Sequence, residues 1–187
     1  MSAAPTGAIS IVGGGASGVI LAAHIMKANR NARVTLIEPT SQVGRGLAYG
    51  TRLPDHRLNV AANRMSAFGE DPGHFWEWYR ARHPLEPDDP GRFLPRMEYA
   101  VYLEEVFNEA AASATGQGFL LHRRCECLAI SVVGSGLELR LSDGTSIAAQ
   151  RAVLATGHDT QPDGGRDYAF SGTDIPQLDP DAPVVII

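Results

Sequence analysis

Six consecutive residues, Gly13-Gly14-Gly15-Ala16-Ser17-Gly18, restrict the folding of this chain more than any other stretch. They lie between a short β-branched apolar run, Ala8 to Val12, and an apolar run of helical length, Val19 to Met26. A further apolar run, Val34 to Ile37, is stopped by Pro39. Strand, glycine turn, helix and strand within about 30 residues make a βαβ unit, whose two strands should be parallel neighbours. The expected fold class is therefore α/β.

The glycines carry chemistry as well as geometry. They match G-x-G-x-x-G in the setting that gives the pattern meaning, after a strand and opening a helix. Gly13 should permit the tight turn, Gly15 should let the backbone approach a pyrophosphate, and Gly18 should let helix and strand pack closely. The helix starting near Ala16 and Ser17 would offer unpaired N–H groups and the positive end of its dipole to phosphate. Glu38, 20 residues beyond Gly18, ends the second strand. Its carboxylate can accept both hydroxyls of an adenosine ribose and would repel a 2′-phosphate. Gly13, Gly15, Ala16, Ser17, Gly18, Glu38 and the adjoining Pro39 thus form a candidate dinucleotide site, which the motif alone leaves open to NAD or FAD.

The rest of the chain reads more coarsely. Residues 44–64 look like a long ordered loop. Asp71-Pro72 should open a helix as N-cap and first helical residue, and its Phe75, Trp76, Trp78 and Tyr79 read as packing. A second helix is expected over about 97–114. Strand signals at about 119–133, 136–141 and 147–154, with turns at Gly134-Ser135-Gly136 and Asp143-Gly144, predict a β-meander. Residues 158–182 are loop-like, and Val184 to Ile187 reads as one more strand, where a truncated protein would stop.

Bulk properties narrow the function. A net charge of −5 and a pI near 5.6 argue against a nucleic-acid partner, which calls for a basic face. No apolar run approaches the roughly 18 residues of a membrane span, so no membrane partner is expected. The N-terminus lacks a signal-peptide pattern, and with only two cysteines a reducing cytoplasm is the expected compartment. Cys125 and Cys127 alternate along a predicted strand and should face opposite ways. The six histidines show no paired metal-ligand spacing.

Other segments carry a family resemblance: Gly44-Arg45-Gly46-Leu47-Ala48-Tyr49-Gly50, Leu58-Asn59-Val60, Met65-Ser66-Ala67-Phe68, Phe93-Leu94-Pro95-Arg96, and Val153-Leu154-Ala155-Thr156-Gly157-His158. Together they resemble the FAD/NAD(P)-binding flavoprotein group that includes flavin-dependent urate hydroxylase and an aspartate N-monooxygenase. The resemblance implies a Rossmann-like three-layer domain with a parallel sheet, a crossover β-meander and helices. That domain would span residues 1–182, and residues 183–187 would begin a second, NAD(P)H-binding domain.

It also implies roles for matching positions. Arg45 and Gly46 would lie beside the ribityl-pyrophosphate, and Asn59 and Met65 near the isoalloxazine. Arg96 would face the phosphates or the cleft, the Cys127 backbone would meet the adenine edge, and Thr156 and Gly157 would close over the cofactor. His158 is the one histidine placed near the flavin. The cofactor would be FAD, with NAD(P)H as co-substrate of the full-length protein and a small molecule as substrate. The implied activity is hydroxylation of a small polar compound. A reductase or oxidase passing electrons to a partner, and a non-catalytic nucleotide-binding module, stay open beside it. No side chain is compelled to act as acid or base, so no catalytic residue is assigned.

Overall fold

The computed structural model describes residues 7–157. The expected βαβ unit is present as β1 (Ala8–Val12), α1 (Ala16–Ala28) and β2 (Arg33–Ile37). The strands pair in parallel, Ala8 opposite Arg33 through Val12 opposite Ile37. A short helix α2 (Gly46–Tyr49) and a 3-10 turn (Ala62–Arg64) follow, then α3 (His74–Arg82) and α4 (Arg96–Ala112). Five strands complete the described chain: β3 (Phe119–Arg123), β4 (Cys127–Val133), β5 (Gly136–Leu141), β6 (Ser146–Ala149) and β7 (Arg151–Leu154).

These elements form three layers. The central sheet has order β3-β2-β1-β7 and is parallel throughout. On one face α1 and α4 bury Val19, Met26, Tyr102, Leu103 and Val106 against Ile11, Val34 and Leu36. On the other, an antiparallel sheet β4-β5-β6 buries Leu139, Leu141 and Ala149 against Ile37. The alternation of Leu36 and Ile37 between the two cores is the period-2 signature of a strand covered on both faces. Each such leucine or isoleucine contributes about 1.5–3 kcal/mol by leaving water.

Several sequence expectations need correction. The run 119–133 is two strands in two different sheets. β3 pairs with β2, the chain turns through Arg124 to Glu126, and β4 begins the antiparallel sheet. The run 147–154 likewise divides at Gln150, whose N–H donates to the Ala8 carbonyl as β7 enters the parallel sheet. The meander is therefore β4-β5-β6 alone. Asp71 and Pro72 do not open α3: a Pro72-Gly73 turn intervenes, Gly73 is the N-cap, and no side chain caps it. The loop at 44–64 contains two helical turns, α2 and the 3-10 turn at Ala62–Arg64, and one side of a bridge between Arg57 and Pro95. The predicted loop at 158–182, His158 and the strand at Val184 to Ile187 lie outside the described residues.

Candidate dinucleotide site

The site lies where the parallel strands end. Gly13 follows β1 with φ +105°, and its N–H donates to the Ile37 carbonyl at 2.9 Å. A Cβ there would stand 2.3 Å from the Ala155 carbonyl oxygen, so only glycine fits between β2 and the chain leaving β7. Gly18 is buried, and a Cβ on it would meet the Gly13 carbonyl oxygen at 2.0 Å. Its role is close packing of α1 on the turn, behind the cleft rather than in it.

Gly15 differs from both. It is the N-cap of α1, has no side-chain cap, and a Cβ on it would meet only the Gly46 Cα, at 3.6 Å. Bare space lies in front of the helix N-terminus, with no acidic residue in the first turn to occupy it. Such an end presents N–H groups and a partial positive charge to whatever enters.

Glu38 is fixed more firmly than its position in sequence suggests. Its Oε2 accepts the Gly14 N–H at 2.9 Å, and its Oε1 accepts the Thr40 N–H at 3.1 Å and the Thr40 hydroxyl at 2.9 Å. The ring of His122, on β3, hydrogen-bonds the Glu38 carbonyl at 2.9 Å. The carboxylate is thereby tied to the glycine turn it would share a ligand with. Gly14 and Thr40 are contributors that sequence reasoning missed. An acid followed two residues later by threonine is a local turn signal that could have revealed Thr40.

Arg45 and Gly46 form the facing wall, joined to the turn by the Gly44 N–H, which donates to the Gly14 carbonyl at 2.7 Å. The Arg45 guanidinium stands 3.9 Å from Glu104 on α4, while its buried Nε has no partner among the described residues. Tyr49 of α2 packs on Tyr99 of α4 with ring centroids 4.8 Å apart. Burial pushes the Tyr49 phenol up, partly offset by the Arg96 cation.

Between these walls lies a cleft of about 490 Å³, within the range of small-molecule sites. The turn and helix supply Gly13, Gly15, Ala16 and Ser17 to it, with Glu38 at one end. Arg45 and Gly46 line the opposite side, and Thr156 and Gly157 close it beyond β7. Leu47, Ala48, Tyr49 and Ala155 also line it and were not expected.

Five other candidates stand elsewhere. Pro39 and Asn59 are exposed outside the lining, and Met65 ends the 3-10 turn against the helical core. Arg96 donates to the carbonyls of Arg57 (3.0 Å) and Ala48 (3.2 Å), bracing α2 from behind. Cys127 starts β4 and packs into the smaller core, its thiol 3.7 Å from the Ala129 carbonyl. It begins the first strand of the meander, as expected, now bounded at Cys127 rather than at 119.

An uncapped helix end, a glycine whose missing side chain leaves a cradle, an oriented carboxylate and an orphaned guanidine nitrogen fit a nucleotide diphosphate. Among the described residues, no group of three or more His, Cys, Asp or Glu could hold a metal ion, and no helix is long and apolar enough to cross a membrane.

Fold and cleft together define a Rossmann-like dinucleotide-binding domain. Residues 10–159 match the FAD-NAD(P)-binding family, and the chain belongs to it. A curated relative, 3-dehydro-bile acid delta(4,6)-reductase of Clostridium scindens, is 25% identical over 95% of this chain and 46% of its own length. A flavin-containing monooxygenase from Stenotrophomonas maltophilia superposes with a TM-score of 0.58 at 18% identity, covering 83% of this chain and 39% of that one. OTEMO in complex with FAD and NADP gives 0.54 at 19% identity, covering 87% and 27%. The two structures establish a shared fold, and the chain spans less than half the length of each of these relatives.

Proposed function

We propose that this chain is the FAD-binding part of an NAD(P)H-dependent flavoprotein oxidoreductase of the cytoplasm. In this reading it is a monooxygenase of the kind represented by flavin-dependent urate hydroxylase and aspartate N-monooxygenase, hydroxylating a small polar substrate. One observation carries the FAD-site part of the reading: the Glu38 carboxylate is hydrogen-bonded across the glycine turn at the open N-terminus of α1. That arrangement supplies a sugar acceptor and a phosphate donor surface from adjacent residues. The hydroxylation itself rests on the family resemblance.

The residues divide the binding work. The amides at Gly15, Ala16 and Ser17 hold the pyrophosphate, and Arg45 adds a guanidinium that complements its charge. Glu38 accepts the ribose hydroxyls. Gly46, facing Gly15, keeps the opposite wall free of side chains, and Thr156 and Gly157 border the way out. By the resemblance, Asn59 and Met65 serve the isoalloxazine end and the Cys127 backbone the adenine end, while Arg96 braces α2 through the Ala48 carbonyl. FAD, when bound, supplies hydride acceptance and oxygen chemistry. The protein's share is to hold it, exclude water and orient the substrate.

The purified protein should show flavin bands near roughly 370 and 450 nm. The full-length protein should consume oxygen with NAD(P)H when offered amines or purines. A colourless protein that binds NAD instead would overturn the cofactor assignment. A second reading, a reductase handing electrons to an organic or protein acceptor, is favoured by the activity of the curated relative. NAD(P)H oxidation that needs such an acceptor, and proceeds without oxygen, would select it.

A further inference from the structure

Four oxidisable rings run from the cleft to the surface. Tyr49 lines the cleft. Its ring lies 4.8 Å from Tyr99, Tyr99 lies 5.5 Å from Tyr102, and Tyr102 lies 5.5 Å from Trp78. Tyr99 and Tyr102 are buried, whereas Tyr49 and Trp78 are partly exposed at the two ends. We propose that Tyr49, Tyr99, Tyr102 and Trp78 form a relay that carries a one-electron oxidising equivalent from the dinucleotide cleft to the protein surface. The cleft end of this proposal rests on the FAD-binding reading, because a reduced flavin meeting oxygen is the source of such oxidants.

Aromatic rings fill many cores without moving charge, but three features separate this row from ordinary packing. Consecutive rings are near van der Waals contact, so an electron has no long gap to cross. Each position holds a phenol or an indole, both far easier to oxidise than a phenyl ring. Phe75 touches Tyr99, Tyr102 and Trp78 without being needed as a stepping stone. Finally, two of the four rings have a hydrogen-bond partner placed to take the proton that oxidation makes acidic. The Tyr102 hydroxyl lies 2.8 Å from His74 Nδ1 and accepts the Ala67 N–H at 3.1 Å. With one acceptor position already filled, it donates to His74 when that nitrogen is unprotonated. The Trp78 Nε1–H donates to Glu105 Oε2 at 3.0 Å.

The transfer balances. A protonated superoxide radical in the cleft takes an electron and the phenol proton from Tyr49 and leaves as hydrogen peroxide; Tyr49 regains a proton from cleft water as the vacancy moves to Tyr99, which passes it on with its own proton in place. Tyr99 therefore relays the charge rather than holding it. At Tyr102 the proton shifts to His74 Nδ1 and returns when the vacancy passes on. At Trp78 the Nε1 proton goes to Glu105, leaving a neutral indolyl radical. Arg82 pairs with Glu105 and stacks over the indole at 4.3 Å, which disfavours a charged ring and favours the deprotonated one. A thiol in solution then returns an electron and a proton and is itself oxidised to a thiyl radical.

The test uses the full chain with Cys125→Ser, Cys127→Ser and Leu47→Cys, bearing a ruthenium polypyridyl photo-oxidant on residue 47 at the cleft. Flash excitation with a cobalt(III) quencher should yield an indolyl radical, seen by transient absorption and freeze-trapped electron paramagnetic resonance. Tyr49→Phe, at the exposed end of the row and harmless to the core, should cut its yield at least tenfold. Trp78→Phe should trap a tyrosyl radical instead, and Trp76→Phe should leave the yield unchanged. No indolyl radical, or a yield indifferent to Tyr49→Phe, would overturn the relay. Because this oxidant acts without FAD, absence of flavin bands would count against the cofactor reading alone.

Discussion

Replacing Glu38 with alanine tests the site most directly, because the carboxylate serves both the turn and the ligand. The substitution removes acceptors for the Gly14 N–H, the Thr40 N–H and the Thr40 hydroxyl. It also removes the acceptor for the ribose hydroxyls. A hydrogen bond to a charged group contributes about 1.5–3 kcal/mol, but Glu38 is only half-buried and its carboxylate already accepts three hydrogen bonds. The net loss of FAD affinity should therefore be about 1–3 kcal/mol, roughly five- to 150-fold in Kd. Titration calorimetry of FAD into the apoprotein measures it. Urea unfolding of the same apoproteins separates the turn's share, expected at about 1–3 kcal/mol because the buried Gly14 amide loses its acceptor. Glu38→Gln keeps one carbonyl oxygen and should fall between parent and alanine variant. If Glu38→Ala bound FAD within about twofold of the parent, the carboxylate would have no part in holding the sugar.

Other perturbations separate fold from site. Gly13→Ala should destabilise by at least about 2 kcal/mol, since the residue sits at φ +105° with its Cβ 2.3 Å from a carbonyl oxygen; thermal melts of the apoprotein would show it, and an unchanged Tm would contradict the turn geometry. Gly15→Val should behave oppositely, keeping the melting temperature while abolishing FAD binding, because the side chain would fill the cradle facing Gly46; retained binding would place the pyrophosphate elsewhere. Hydrogen bonds from Thr145 and Cys125, with the Arg123 cation nearby, hold Asp143 at about 2, below its usual 3.8. A depressed carboxyl pKa favours the folded state fully above the ordinary value and loses that effect as pH falls through the lower one. Asp143→Asn should therefore flatten the decline in stability between about pH 4 and pH 2, measured by urea unfolding; an unaltered profile would mean the group titrates normally.

How much of this was legible in the sequence follows from what each feature depends on. The glycine turn and Glu38 could be read because their requirements are local: a positive φ at Gly13, close packing at Gly18, and an acid one residue past β2. Helix α4 was legible through its period and ends within two residues of the expectation. The strand breaks at Arg124 to Glu126 and at Gln150 were not, because neither holds a glycine, proline, asparagine or aspartate to mark a turn. Hydrogen-bond partners set those boundaries instead. The Arg123 carbonyl still accepts the Glu38 N–H from beyond the end of β2, whereas Cys125 turns into the smaller core. Helix α2 stayed hidden because one turn is too short for a periodic signal in a glycine-rich stretch. The braces formed by His122 and Arg96 depend on residues that only the fold brings together.

The register of three strands explains why turn, carboxylate and closing loop converge. Val12 lies opposite Ile37 on one side and Leu154 on the other. The next residue on each strand is then Gly13, Glu38 and Ala155, side by side at the carboxyl edge of the sheet, where ligands of open α/β sheets bind. The Gly13 N–H to the Ile37 carbonyl and the Ala155 N–H to the Val12 carbonyl lock that row. A slip of one residue in β2 would turn Leu36 and Ile37 to the wrong cores and move Glu38 out of reach of Gly14. The pairing that buries the apolar residues therefore also places the groups that would bind the cofactor, so core and site cannot be altered independently along this edge.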